Sequence, residues 1–159
     1  MSFNRCVRFF ALALLLVTAS GCSGLHPYRN TLDKNLTIRT KTDSGSILTS
    51  VKARVDIYTV DESCNLSYRG SIDLKRPVIE IGVPASGRCY LNFVFSTSTF
   101  LASAQGATGF DTYFKTRPGY TYIAEASYVD GIYNVILKEK KGDGGQLREL
   151  DDWACTPKS

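Results

Sequence analysis

Four stretches of this chain alternate apolar and polar residues with a period of two, and that period restricts the fold more than any other feature. Val51, Ala53, Val55 and Ile57 alternate with Lys52, Arg54 and Asp56. Cys64, Leu66, Tyr68, Gly70 and Ile72 alternate with Asn65, Ser67, Arg69 and Ser71. Ile79, Ile81 and Val83 flank Glu80 and Gly82, and Cys89, Leu91, Phe93 and Phe95 alternate with Tyr90, Asn92 and Val94. Successive side chains of a strand point to opposite faces, so each pattern predicts a strand with one buried face. Leu36 to Thr42 reads as a weaker first strand. No stretch after residue 22 carries a convincing 3.6-residue apolar period.

A hairpin is expected around Asp130-Gly131. Asp-Gly suits the type I′ turn, whose central residues need positive φ. A two-residue loop sets Val129 opposite Ile132, Tyr128 opposite Tyr133, Ala126 opposite Val135 and Ala124 opposite Leu137. Small side chains then face large ones across the pair, which stabilises a sheet. Ser96 to Gly109 is small, polar and weakly charged, and reads as a long loop or a short helix around Leu101. Seven or eight short strands separated by turns predict an all-β domain, a single antiparallel β-sandwich or small barrel.

The first 22 residues follow a different logic. Arg5 and Arg8 precede an apolar run, Phe9 to Val17, and small residues follow it, ending in Ala19-Ser20-Gly21-Cys22. Charge, apolar run and small residues in that order form a secretory signal. The run is about half the roughly 20 residues needed to span a bilayer. The segment resembles the lipobox of bacterial lipoproteins, with Ala19 standing where Leu is commonest. The resemblance implies diacylglycerol on the Cys22 sulfur, cleavage before Cys22 and acylation of the new amino group. At about 0.8 kcal/mol per buried methylene, two or three acyl chains make a lasting anchor. Ser23, rather than Asp, after the cysteine implies an outer-membrane lipoprotein facing the periplasm. The expected organisation is a removed leader (1–21), a lipidated flexible tether (22–35), a β-domain (36–153) and a tail (154–159).

Composition matters chiefly through charge and cysteine. The formal charge of +4 falls to about +2 when Arg5 and Arg8 leave with the leader. No basic stripe with interleaved aromatics is present, so nucleic acid is not an expected partner. With Cys22 acylated and Cys6 discarded, Cys64, Cys89 and Cys155 are left in an oxidising compartment. The expected pair is Cys64 with Cys89, since both lie on apolar faces. Their bond would contribute roughly 3 kcal/mol through loop-closure entropy. Cys155 would then be available for an intermolecular disulfide, although pairings that staple the tail to the domain stay open.

No catalytic constellation is legible. His26 is the sole histidine and sits on the tether, which removes Ser-His-Asp and Cys-His devices from consideration. Asp56, Asp73, Glu80 and Glu125 fall on expected solvent faces, where carboxylates ordinarily solubilise. No metal or cofactor site is expected. The nine tyrosines suit a half-buried pleated surface. Tyr58 and Tyr90 fall opposite the buried sets of their strands, and they are the candidates for a partner surface. The expected function is non-catalytic binding within an envelope assembly, held to the membrane through Cys22. In outline the chain is similar to small transthyretin-like lipoproteins that dock secretion machinery, a fold-level analogy. Two alternatives are an inhibitor of a lysozyme-like enzyme, which would reach its target with Ser96 to Gly109, and a carbohydrate-active enzyme using Glu80 or Glu125.

Overall fold

A computed structural model describes residues 25–45, 48–99, 102–129, 131–150 and 155, with backbone alone for 102–106. The leader, Cys22, Asp130 and Trp153 lie outside the described residues. Nine strands are described: β1 (Leu36–Asp43), β2 (Thr49–Val60), β3 (Leu66–Asp73), β4 (Val78–Ile81), β5 (Gly87–Thr99), β6 (Ala102–Thr116), β7 (Tyr120–Val129), β8 (Ile132–Lys141) and β9 (Arg148–Glu149). They form a five-stranded sheet of order β4-β1-β7-β8-β9 and a four-stranded sheet of order β3-β2-β5-β6. The protein is therefore a β-sandwich. Its ladders are antiparallel except one, because β1 runs parallel to β7.

The alternating residues build the core between the sheets. Val55, Ile57, Leu91, Phe93, Phe95 and Phe114 come from the four-stranded sheet, and Leu36, Ile38, Tyr122, Ala124 and Ala126 from the other. The hairpin has the anticipated register, with Val129 opposite Ile132 and Ala124 opposite Leu137.

Four expectations need correction. First, the described residues of Ser96 to Gly109, 96–99 and 102–109, are neither loop nor helix. They lie within two long paired strands, with Ser96 opposite Ala107 and Val94 opposite Gly109. Ser and Thr lower apolarity without opposing an extended backbone, and Thr favours one. Second, Cys64 does not pair with Cys89. Cys64 bonds Cys155, and Cys89 is a buried free thiol. Cys64 belongs to no strand; it occupies a tight turn at φ 66°. Asp61 caps that turn, its carboxylate accepting the amides of Ser63 and Asn65 at 2.9 and 2.8 Å. The turn takes Cys64 off the core face, where Cys89 sits opposite Thr59. Third, Cys155 is consumed by this bond and is not available for an intermolecular disulfide.

The fourth correction concerns the tether. From His26 onward the chain is docked on the domain rather than free. Ser71 donates its amide to the His26 carbonyl and accepts the Tyr28 amide, both at 2.9 Å. The Tyr28 hydroxyl donates to the Gly82 carbonyl at 2.6 Å. Asn35 exchanges two hydrogen bonds with Val83, at 2.9 and 2.7 Å. Gly70 makes this approach sterically feasible. It adopts φ +132°, and a Cβ there would lie 2.6 Å from the Tyr28 Cα.

Candidate functional site

The outward surface of the four-stranded sheet is aromatic where solvent-facing sheets are ordinarily polar. Tyr68, Tyr58, Tyr90 and Tyr113 stand in register across β3, β2, β5 and β6. Their ring centroids are 5.2, 5.2 and 4.5 Å apart in that order. His26 extends the row beyond the sheet edge, its ring 4.8 Å from that of Tyr68. An aromatic ring is wider than the ~4.8 Å between strands, so the rings cannot lie flat side by side. They stand upright with tilts of 31° to 55° between neighbours, each partly covering the next. That mutual cover leaves Tyr90 only 9% exposed on an outer face.

Beside the rings runs a polar row, one step along each strand: Ser71, Asp56, Asn92 and Asp111. The Tyr68 hydroxyl and Ser71 Oγ are 2.5 Å apart, and Ser71 donates to Asp56 Oδ1 at 2.5 Å. Arg54 holds the same carboxylate as an ion pair at 2.9 Å. The Tyr90 hydroxyl donates to Asp111 Oδ1 at 2.5 Å. Burial, together with this hydrogen bond and the charge of Asp111, pushes the Tyr90 phenol well above its ordinary value. Burial, and then the Asp56 charge, raises Tyr58 in the same direction. Both phenols thus stay neutral at any physiological pH. Asn92 Oδ1 is sealed from solvent with no hydrogen-bond partner among the described residues, beneath Gly109, where a Cβ would stand 3.2 Å from it.

The structure brings Tyr58 and Tyr90 together as direct neighbours. It adds Tyr68, Tyr113 and His26, which sequence patterning did not assign to this surface. Sequence alternation groups Tyr68 with the apolar set of β3. A register shift between Ile57 and Tyr58 places Ile57 opposite Gly70 but Tyr58 opposite Tyr68. The extra residue in β3, Arg69, reverses the parity of the strand. Ile72 therefore faces inward while Leu66 and Tyr68 face outward. Two tyrosines facing each other across an unbroken outward row, with Gly70 beside them, were the available signal of a bulge.

The carboxylates considered for catalysis are dispersed. Glu80 pairs with Lys34 at 3.5 Å and Asp73 with Lys75 at 3.3 Å. Glu125 is held between Lys138 at 2.6 Å and Arg39 at 3.8 Å on the opposite sheet. Asp56 is 4% exposed, covered by the row described above. Among the described residues no group of three His, Cys, Asp or Glu side chains is arranged to hold a metal ion. Glu139, fully buried, instead receives Arg117 and Arg148. Burial raises its carboxyl, but hydrogen bonds and charge from both guanidinium groups more than reverse this, leaving it below the ordinary value. Cys89 is buried, which pushes its thiol up to about 12.

Comparison with family models, with curated proteins and with solved structures finds no match to this chain.

Proposed function

We propose that this chain is a lipid-anchored binding protein of the bacterial envelope, attached through Cys22 to the outer membrane and facing the periplasm. It works by contact with a partner protein rather than by catalysis, and the upright tyrosine row is its contact surface. The observation that carries this reading is the row itself: one tyrosine on each of four adjacent strands, in register, on a face that packing of the sandwich does not need. Tyrosine supplies large contact area at small entropic cost and is enriched where interfaces gain most of their energy.

The orientation of the rings favours a protein over a glycan. A sugar stacks on an open ring face, and here the tilted neighbouring rings partly cover those faces. Upright edges with hydroxyl groups beside carboxylates suit the mixed apolar and polar contacts of a protein interface. The inhibitor alternative loses most of its reaching loop, since 96–99 and 102–109 belong to the paired strands β5 and β6.

In-cell crosslinking of the full chain, with mass spectrometry of the captured species, tests the reading. One dominant envelope protein, lost when Tyr68 and Tyr113 are replaced by Ser, is the expected result. Capture of glycan fragments alone, or capture unaffected by those replacements, would overturn it.

A further inference from the structure

Only Ser23 and Gly24 separate Cys22 from Leu25, and from His26 the chain is hydrogen-bonded to β3. The four residue steps from Cys22 to His26 span at most about 14 Å when fully extended. A domain anchored through Cys22 therefore has little slack with which to stand away from the bilayer. The edge of the sandwich that receives the N-terminal segment must lie at the headgroup layer.

The chemistry of that edge fits the position. Leu25 and Leu66 are 54% and 43% exposed. Leu66 lies two residues before Tyr68 on the same outward face, and Tyr68 is the residue on which His26 stacks. A cleft of about 340 Å³ is bordered by the docked Tyr28, with Leu32, Ile57, Pro84 and Cys89 in its apolar lining. Arg29 and Arg69 also border it, and no carboxylate does. Exposed leucines with flanking guanidinium groups are the composition of a surface that sinks its apolar side chains among lipid tails and leaves its cations among phosphates.

We propose that this edge, comprising Leu25, His26, Arg29, Leu32, Leu66 and Arg69, is a membrane-docking face that seats the domain on anionic phospholipid. The inference rests on the lipid-anchor reading above and adds an orientation to it. The corner of the four-stranded sheet at the start of β3 is then nearest the bilayer, and Tyr113 of β6 is farthest from it along the aromatic row. The row is then presented as a stripe rising from the membrane, open to a partner approaching from the periplasm.

The test uses the full chain with a photoreactive residue at position 25 or 66, and at position 48 or 132 as controls. Leu48 and Ile132 are also exposed, 50% and 70%, but lie at the opposite end of the strands. The purified lipoprotein is reconstituted in phosphatidylcholine vesicles with and without phosphatidylglycerol, and its acyl chains are confirmed by mass. Lipid adducts should form at 25 and 66 and be scarce at 48 and 132. The double replacement Arg29→Gln and Arg69→Gln should reduce adducts in phosphatidylglycerol vesicles by about fivefold per residue and change little without that lipid. Acylated protein with equal adducts at all four positions, or with protein adducts at 25 and 66 in cells, would overturn the docking face while leaving the anchor intact. Absence of acyl chains would instead overturn the anchor and with it this inference.

Discussion

Gly70 lies so close to Tyr28 that a β-carbon on it would stand 2.6 Å from the Tyr28 Cα and 2.7 Å from its amide nitrogen. A side chain here would both collide with backbone and sit at φ +132°, where L-residues are strained. Gly70→Ala should therefore destabilise the fold by about 1–3 kcal/mol, read as a lowered Tm. Its effect should be local as well: hydrogen exchange at the Tyr28 and Ser71 amides should accelerate beyond that of the core. An unchanged Tm with unchanged exchange would mean that the N-terminal segment does not rest on β3.

The Cys64–Cys155 bond spans a sequence separation of 91 residues and links the end of the chain to the β2–β3 turn. In the loop-entropy account such a closure stabilises by about 4–5 kcal/mol. Non-reducing peptide mapping should recover this pair and a single buried thiol at Cys89. With its thiol pushed up to about 12 and no exposed surface, Cys89 should resist iodoacetamide at pH 8 until denaturant is added. Recovery of a Cys64–Cys89 peptide would contradict the fold.

Glu139 has its carboxyl held below the ordinary 4.5 by Arg117 and Arg148 despite its burial. A carboxylate depressed in the folded state contributes stability above its unfolded value and loses it as pH falls through the folded one. Stability from this site should thus be complete above about pH 4.5 and fade below it. Glu139→Gln should cost about 1–3 kcal/mol at pH 7, less than a fully buried pair because both guanidinium groups reach solvent. The gap in Tm between the variant and the parent should close under acid. A gap that widened in acid would rule out the assigned sign.

Tyr113 stands at the β6 edge of the aromatic row, whereas Tyr90 is enclosed within it. Tyr113→Ser should therefore weaken partner capture with little loss of stability, about 1 kcal/mol or less for the lost ring contact. Tyr90→Phe removes the bond to Asp111 and should lower stability by about 1–2 kcal/mol. If Tyr113→Ser and the parent capture the same protein equally well, the row is packing rather than interface.

Strands β1 to β5 and the core residues they carry were legible from alternation, because period two is a direct consequence of pleating, whereas the first half of β6 was not, because its small polar residues carry no apolar period. The Asp-Gly hairpin was legible because turn type and cross-strand size matching act locally. Three features escaped for identifiable reasons. The bulge at Arg69 changes parity mid-strand, and alternation on either side of it looks continuous when read on β3 without its partner β2. Cys64 looked like part of a strand because its parity matched Leu66, yet the Asp61 side chain competes for the local amides and forms a turn. His26 and Tyr28 carry no periodic signal; their places are set by a close backbone approach to Gly70, as that of Leu32 is by one to Gly82. The aromatic surface is the sum of these effects: two of its five rings were visible as outward residues, and the others depended on register and docking.

Both ends of the described chain converge on one region of the sandwich. His26 and Tyr28 bond to Ser71 of β3, and Cys155 bonds to Cys64 just before β3 begins. Mechanically, this makes β3 and its turn the point where outside force would enter the protein. A pull transmitted from the N-terminus first loads two backbone hydrogen bonds on Ser71, and the adjoining turn is secured covalently to the far end of the polypeptide. The sheet edge most exposed to peeling is thus reinforced by a bond that tension on the N-terminal segment cannot unzip one hydrogen bond at a time.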